Sequence, residues 1–283
     1  MKMELIKDAE FSGERVLFAS HNLELENVHI GLGESPLKCC SNIIARNCVF
    51  DGKYPFWHTD GFVVDHCTFN IGARSGPWYS RNCLMNDCIV EAPKLFREMD
   101  GVEVNRTNFP NGQEMFWFCR NIKLRDVRID NCDYLFLHSS DIDIENYIQH
   151  GNYSFQYAKN VKISNAEIHS KDAFWNTENV TVRDSTLDGE YLGWHSHNLT
   201  LINCHILGTQ PLCYAHNLKM INCTLGDDAD LAFEESEVEA EIVSPVVSIK
   251  NPTTGHITVP KVGEIILDKN IRQPANCVIT VTE

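Results

Sequence analysis

Between Glu178 and Leu225 the chain copies itself with a period of 19 residues. The lines ENVTVRDSTLDGEYLGWHS, HNLTLINCHILGTQPLCYA and HNLKMINCTL share one pattern. An Asn leads (Asn179, Asn198, Asn217), and two apolar residues spaced by one follow (Val180 and Val182, Leu199 and Leu201, Leu218 and Met220). An Asp or Asn comes next (Asp184, Asn203, Asn222), then a small residue (Ser185, Cys204, Cys223) and an apolar one (Leu187, Ile206, Leu225). Sliding this template outward places the leading slot at Asn22, Asn42, Gly61, Asn82, Gly101, Asn121, Asp141 and Asn160, in steps of 19 to 21 residues, and Glu237 continues the register.

A unit this short cannot hold a helical repeat or a propeller blade. Apolar residues alternating over three or four positions make short strands. Short strands closed into a turn bury nothing until a second turn stacks on the first. The leading Asn readily takes the left-handed backbone of a sharp corner, and stacked Asn side chains can hydrogen-bond from copy to copy. The left-handed hexapeptide alternative needs an aliphatic residue every six positions, and that rhythm is missing. The expected fold is all-β, a right-handed parallel β-helix of about eleven to thirteen coils of 19–21 residues, with three short strands per coil. It is expected to be one domain over 1–283: an N-terminal cap across the first coil (1–14), regular coils (15–242) and irregular coils or a cap (243–283).

The repeated N-aliphatic-x-aliphatic-x-(N/D)-C lines and the segment GEYLGWHSHNLTLINC from Gly189 to Cys204 resemble the single-stranded right-handed β-helix proteins of the pectin-lyase-like class. More closely, they are similar to a bacterial family of such proteins without assigned function. The glycosidase branch of the wider class pairs Asp residues with a Gly-His-Gly motif; here His150-Gly151 follows Gln149. The lyase branch uses clustered calcium-binding Asp residues with an Arg, and no such acidic strand face is found. The resemblance therefore implies the fold rather than pectin degradation.

Charge narrows the partners. A formal net charge of −15 disfavours nucleic acid and other polyanions, which need a basic surface. The N-terminal MKMELIKDAEFSGERVLF is broken by charge every few residues, so neither a signal-peptide core nor a membrane span is expected, and the expected location is the cytoplasm. There the 12 cysteines should be free thiols, and Cys48, Cys67, Cys88, Cys204 and Cys223 share one slot of the repeat, as a small buried apolar residue would. No CxxC pair occurs; neither metal nor cofactor is expected.

Chemistry concentrates before the leading Asn. All five tryptophans, Trp57, Trp78, Trp117, Trp175 and Trp194, fall in one column, shared with Lys38, Arg97, Cys213 and Phe233 among others. The column before it is apolar (Phe56, Phe96, Phe116, Phe136, Phe155, Phe174, Leu212), so strand alternation points the tryptophans outward as a flat aromatic strip suited to sugar rings. If alternation fails at the corner, the next column (His58, Tyr79, Glu98, Phe118, His138, Tyr157, Asn176, His195, Tyr214, Glu234) becomes the outward row. His58, His138 and His195 lie several coils apart and cannot share one metal ion. Asp172 and Glu190 precede the Trp175 and Trp194 segments on consecutive coils, about 5 Å apart in backbone. Paired carboxyls are what glycoside hydrolysis needs, one protonated and one ionised. The candidate catalytic residues are thus Asp172, Glu190 and His195, and the candidate substrate-binding residues Trp57, Trp78, Arg97, Trp117, Trp175, Asn176 and Trp194. The expected partner is a neutral oligosaccharide, for a glycoside hydrolase or lyase-like activity. The alternative is a non-catalytic scaffold whose tryptophan face contacts another protein or a second copy of the chain.

Overall fold

The computed structural model describes residues 2–282. Its regular structure is entirely strand, stacked in parallel as a β-solenoid of about 15 turns, slightly more than the repeat count suggests. No helix among the described residues is long and apolar enough to cross a membrane. The chain divides into two compact units, the first ending at Asp143 and the second beginning at Ile144.

In the first unit the long side of each coil is a six-residue strand, as in Ser41–Arg46, Asp60–Asp65 and Arg81–Asn86. Ile43 pairs with Phe62 and Phe62 with Cys83, so like stacks on like and each apolar slot of the repeat becomes a core column. Two-residue strands such as Val49–Phe50 and Thr68–Phe69 form a short second side. Residues 4–11, expected as a cap, instead form a coil of their own: Glu4–Lys7 pairs in parallel with Leu23–Glu26, and Glu10–Phe11 with His29–Ile30. Lys7 and Glu26 then meet across the ladder at 2.7 Å.

The second unit repeats the plan. Val161, Val180 and Leu199 pair in sequence along Lys159–His169, Glu178–Arg183 and His197–Ile202. Beyond residue 243 the coils become irregular yet stay parallel: Thr254–Val259 pairs with Glu237–Ile242 and with Val278–Val281.

The corners obey the Asn reading. Asn160, Asn179, Asn198 and Asn217 all have φ between 52° and 58°. Their side chains form a ladder in which each amide donates to the Asn one coil back, at 3.1 Å for Asn179, 2.8 Å for Asn198 and 2.8 Å for Asn217. The five cysteines of the shared slot are buried, and all the chain's cysteines are free thiols.

The third side departs from expectation. The segment before the Asn is a run of turns rather than a regular strand, because alternate residues take positive φ: Asp172, Phe174 and Asn176 at 53°, 61° and 52°. It is nevertheless hydrogen-bonded coil to coil. Phe174 N–H donates back to Ser154 O at 3.0 Å, and Asn176 N–H donates forward to Trp194 O at 3.0 Å. The apolar column remains inside, with Phe96 on Phe116 at 4.7 Å and Phe116 on Phe136 at 4.9 Å in the first unit, and Phe155 on Phe174 at 4.9 Å in the second. Phe233 belongs to this inner column and not to the tryptophan column, since its N–H donates to Pro211 O as Leu212 N–H donates to Leu192 O. Glu234 therefore sits in the tryptophan column, one slot earlier than the sequence suggests, as the bond from Tyr214 N–H to Glu234 O also shows, and Glu235 takes the column after it.

Candidate functional site

The turn side decides what the tryptophans can do. They are half-buried, while the following column holds exposed Tyr79, Phe118 and Tyr157 beside half-buried Asn176, His195 and Tyr214. In the first unit the tryptophan column is a closed stack. Lys38 Nζ lies 5.4 Å from the Trp57 ring centre, Trp57 stacks on Trp78 at 5.3 Å and 14°, and Arg97 sits between Trp78 (4.8 Å) and Trp117 (4.0 Å). Arg97 is further held by Glu114, 2.6 Å from its Nη2. The indole N–H groups of Trp57, Trp78 and Trp117 donate to Ser75, Lys94 and Tyr134 carbonyls one coil on, at 2.6, 2.8 and 2.6 Å. Trp57 and Trp78 are covered on both faces and Trp117 on one, so Lys38, Trp57, Trp78, Arg97 and Trp117 form a ladder and not a flat strip for a sugar.

In the second unit the stack opens. Trp175 and Trp194 are 5.5 Å apart but tilted by 34°, and Trp194 meets Tyr191 and Tyr214 edge-on at 5.0 and 5.1 Å. Trp194 Nε1 donates to Gln210 O at 2.7 Å; Trp175 alone among the five makes no such bond, and its N–H is not buried. His195 stacks on Tyr214 at 5.0 Å and lies 5.4 Å from the Trp175 ring. Gly193 fills the slot that Phe174 and Leu212 occupy in neighbouring coils. Its φ is 69°, and any Cβ at this position would come within 2.9 Å of Leu212 Cδ2, so the backbone here fits glycine.

The carboxyls stand beside these rings. Asp172 N–H donates to Glu190 O at 2.8 Å, which puts the two residues on consecutive coils. Their electrostatics differ. Burial holds the Asp172 carboxyl above the usual carboxylate range; Lys171 opposes this and the Glu190 charge adds to it. Glu190 itself is exposed and pairs with Lys171 at 3.2 Å. Burial, aided by His216, Arg272 and His197, holds the His195 imidazole below its ordinary value, so it is neutral at pH 7.

The fold therefore gathers Asp172, Glu190, Trp175, Asn176, Trp194 and His195 in the second unit, and leaves Trp57, Trp78, Arg97 and Trp117 in the first. Sequence reasoning passed over Lys171, whose link to Glu190 is legible only as one coil of spacing. It also passed over two mixed clusters: His150, Glu167 and His169 in the second unit, and Asp65, His66 and Asp87 in the first. Their signal was again spacing, with His150 and His169 one period apart.

A model of the family described as "Protein of unknown function (DUF3737)" matches residues 4–280. The chain belongs to this family. No curated protein matches it. Among solved structures, this DUF3737 chain is similar to the A-module of the Azotobacter vinelandii mannuronan C-5 epimerase AlgE4, at 9% identity over 99% of this chain and 91% of that one, with a TM-score of 0.31. It is also similar to QnrB1, a plasmid-mediated fluoroquinolone resistance protein, at 15% identity over 77% and 92% with a TM-score of 0.19. The catalytic domain of a GH87 α-1,3-glucanase follows at 9% identity over 100% and 62%, with a TM-score of 0.21. Likenesses this low carry nothing of those proteins' chemistry over to the DUF3737 chain.

Proposed function

We propose that the second unit binds a neutral oligosaccharide against Trp175, Trp194 and His195 and hydrolyses it with Asp172 and Glu190. The observation that carries this reading is the unlike setting of two neighbouring carboxyls. Asp172 is half-buried, and burial raises its affinity for a proton, while Glu190 faces solvent with an ammonium at 3.2 Å. In the hydrolysis, Asp172 gives its proton to the glycosidic oxygen as the bond to the sugar carbon breaks. Glu190 takes a proton from the water whose oxygen bonds to that carbon. The tilted Trp175–Trp194 pair supplies ring surface, and the unclaimed Trp175 N–H and the Asn176 amide supply hydrogen bonds. The acidic chain favours a neutral sugar over an anionic one.

The test is a panel of neutral oligosaccharides, with binding followed by thermal shift and cleavage by release of reducing ends. Wild type should bind and cleave at least one member. Trp175→Ala should weaken binding, and Asp172→Asn should bind normally but cleave at least about 100-fold more slowly, the loss of a general acid. No response from wild type, or equal responses from all three proteins, removes the reading.

A second reading, a scaffold, is favoured by one observation in the first unit. Phe118 is 53% exposed and Tyr79 42% exposed, in a row that also carries His58 and His138. Phe118 stacks on His138 at 5.2 Å, a preformed aromatic surface for a protein contact. Sedimentation of wild type against Phe118→Ser checks it: equal, monomeric behaviour of both removes contact between copies through this row.

A further inference from the structure

The strand Lys159–His169 turns Val161, Ile163 and Ile168 into the core, and the alternation places Glu167 and His169 together on the outer face. His150, at the end of the strand Ser140–Asn152, stacks on His169 with ring centres 4.8 Å apart and planes 10° apart. One coil on, Asp188 pairs in register with His169. The His169 ring thus has carboxylates at both nitrogens: Glu167 Oε1 is 2.8 Å from Nε2, and Asp188 Oδ2 is 2.8 Å from Nδ1.

We propose that His150, Glu167 and His169 bind one divalent transition-metal ion of the zinc class, with Asp188 orienting His169 from behind. One donor atom from each of the three ligands lies within 4.8 Å of the others. Tetrahedral zinc with bonds of about 2.0–2.2 Å needs donors about 3.4 Å apart. Glu167 Oε1 and His169 Nε2 are already 2.8 Å apart, so the adjustment of about 1–1.5 Å falls on His150, whose ring swings out of its parallel stack on His169 to turn its lone pair toward the ion. The ion takes the place of the proton between His169 Nε2 and Glu167, while Nδ1–H continues to donate to Asp188. That carboxylate–histidine–metal order is how ligating imidazoles are fixed in tautomer and orientation. Two imidazoles with one carboxylate select a transition metal over calcium or magnesium, which favour all-oxygen sites. The side chains are partly exposed, His169 at 34%, which leaves the fourth position to water.

Other clusters are less well built. In the first unit, both Asp87 oxygens beside His66 are taken by Arg106, at 2.8 and 2.7 Å. His197 and His216 stack at 4.7 Å, with Glu237 as the nearby carboxylate, 3.5 Å from His216.

Zinc chloride titrated calorimetrically into the full-length, tag-free chain tests the proposal, with cobalt(II) absorption reporting geometry. One equivalent should bind, giving a tetrahedral cobalt spectrum. His169→Ala and Glu167→Gln should each weaken zinc at least about tenfold, and Asp188→Asn about 10–100-fold through the imidazole. The exposed Glu167 tests the site even if His169→Ala unfolds. A His197→Ala, His216→Ala double variant should bind as wild type does. Absence of binding to wild type, binding unchanged in Glu167→Gln, or binding lost in the double variant would each overturn the site.

Discussion

Asp172 gives its amide proton to the Glu190 carbonyl at 2.8 Å, yet the ammonium of Lys171, its own chain neighbour, lies against Glu190 at 3.2 Å. The arrangement leaves Asp172 as the carboxyl that burial works on, with a proton affinity above the unfolded value of 3.8. A carboxyl raised on folding contributes stability below pH 3.8, and this is lost as pH climbs through the raised value. Asp172→Asn removes the charge that causes the loss. The variant should melt with wild type at pH 3 and slightly above it at pH 7, by scanning calorimetry. A lower melting temperature for the variant at pH 7 would contradict the burial argument.

Arg97 is wedged between two indole faces with a side chain only 17% exposed, and its buried Nε has no partner. Arg97→Ala opens the stack and leaves Glu114 with Lys94 alone, 3.1 Å away. The expected cost is about 2 kcal/mol in denaturant midpoint measurements. Arg97→Lys should recover less than half, because an ammonium cannot stack flat between two rings. Tryptophan emission should shift to the red in both variants.

Phe116 is fully buried with a ring on either side, at 4.7 and 4.9 Å. Truncation to Ala leaves a cavity that the flanking coils cannot close without losing register. Chemical denaturation should report about 3–5 kcal/mol lost, and Phe116→Leu clearly less.

Asn198 combines a φ of 57° with two ladder bonds, one donated to Asn179 and one accepted from Asn217. Asn198→Ala loses both the bonds and the ease of the left-handed conformation, at about 1–2 kcal/mol. Asn198→Gly loses only the bonds and should cost about 0.5–1 kcal/mol. An Ala variant as stable as the Gly variant would mean that the backbone conformation is set elsewhere.

Much of this was legible in the chain. Asn179, Asn198 and Asn217 announced a corner, and each adopts it; Cys204 and Cys223 announced a buried column, and each is buried. The tryptophan column was visible too, but its orientation was not. Alternation along a strand put the rings outward, whereas positive φ at alternate residues made that side a run of turns and folded the rings onto one another. For the site, the nearness of Asp172 to Glu190 followed from period alone. The roles of Lys171, and of Asp188 behind His169, did not, because ion pairs between coils depend on rotamers as well as register.

The repeat by itself determined a parallel stack of coils with Asn corners and an aliphatic core, since a period of 19 imposes the same backbone on every copy and like residues then meet. Only the tertiary structure decided which faces were left for chemistry. It closed the rings of Trp57, Trp78 and Trp117 around cations, tilted Trp175 away from Trp194, and brought donor atoms of His150, Glu167 and His169 within 4.8 Å of one another. The physical reason is that a side chain's neighbours in a solenoid lie one coil away, and their mutual packing, not the local sequence, selects each rotamer.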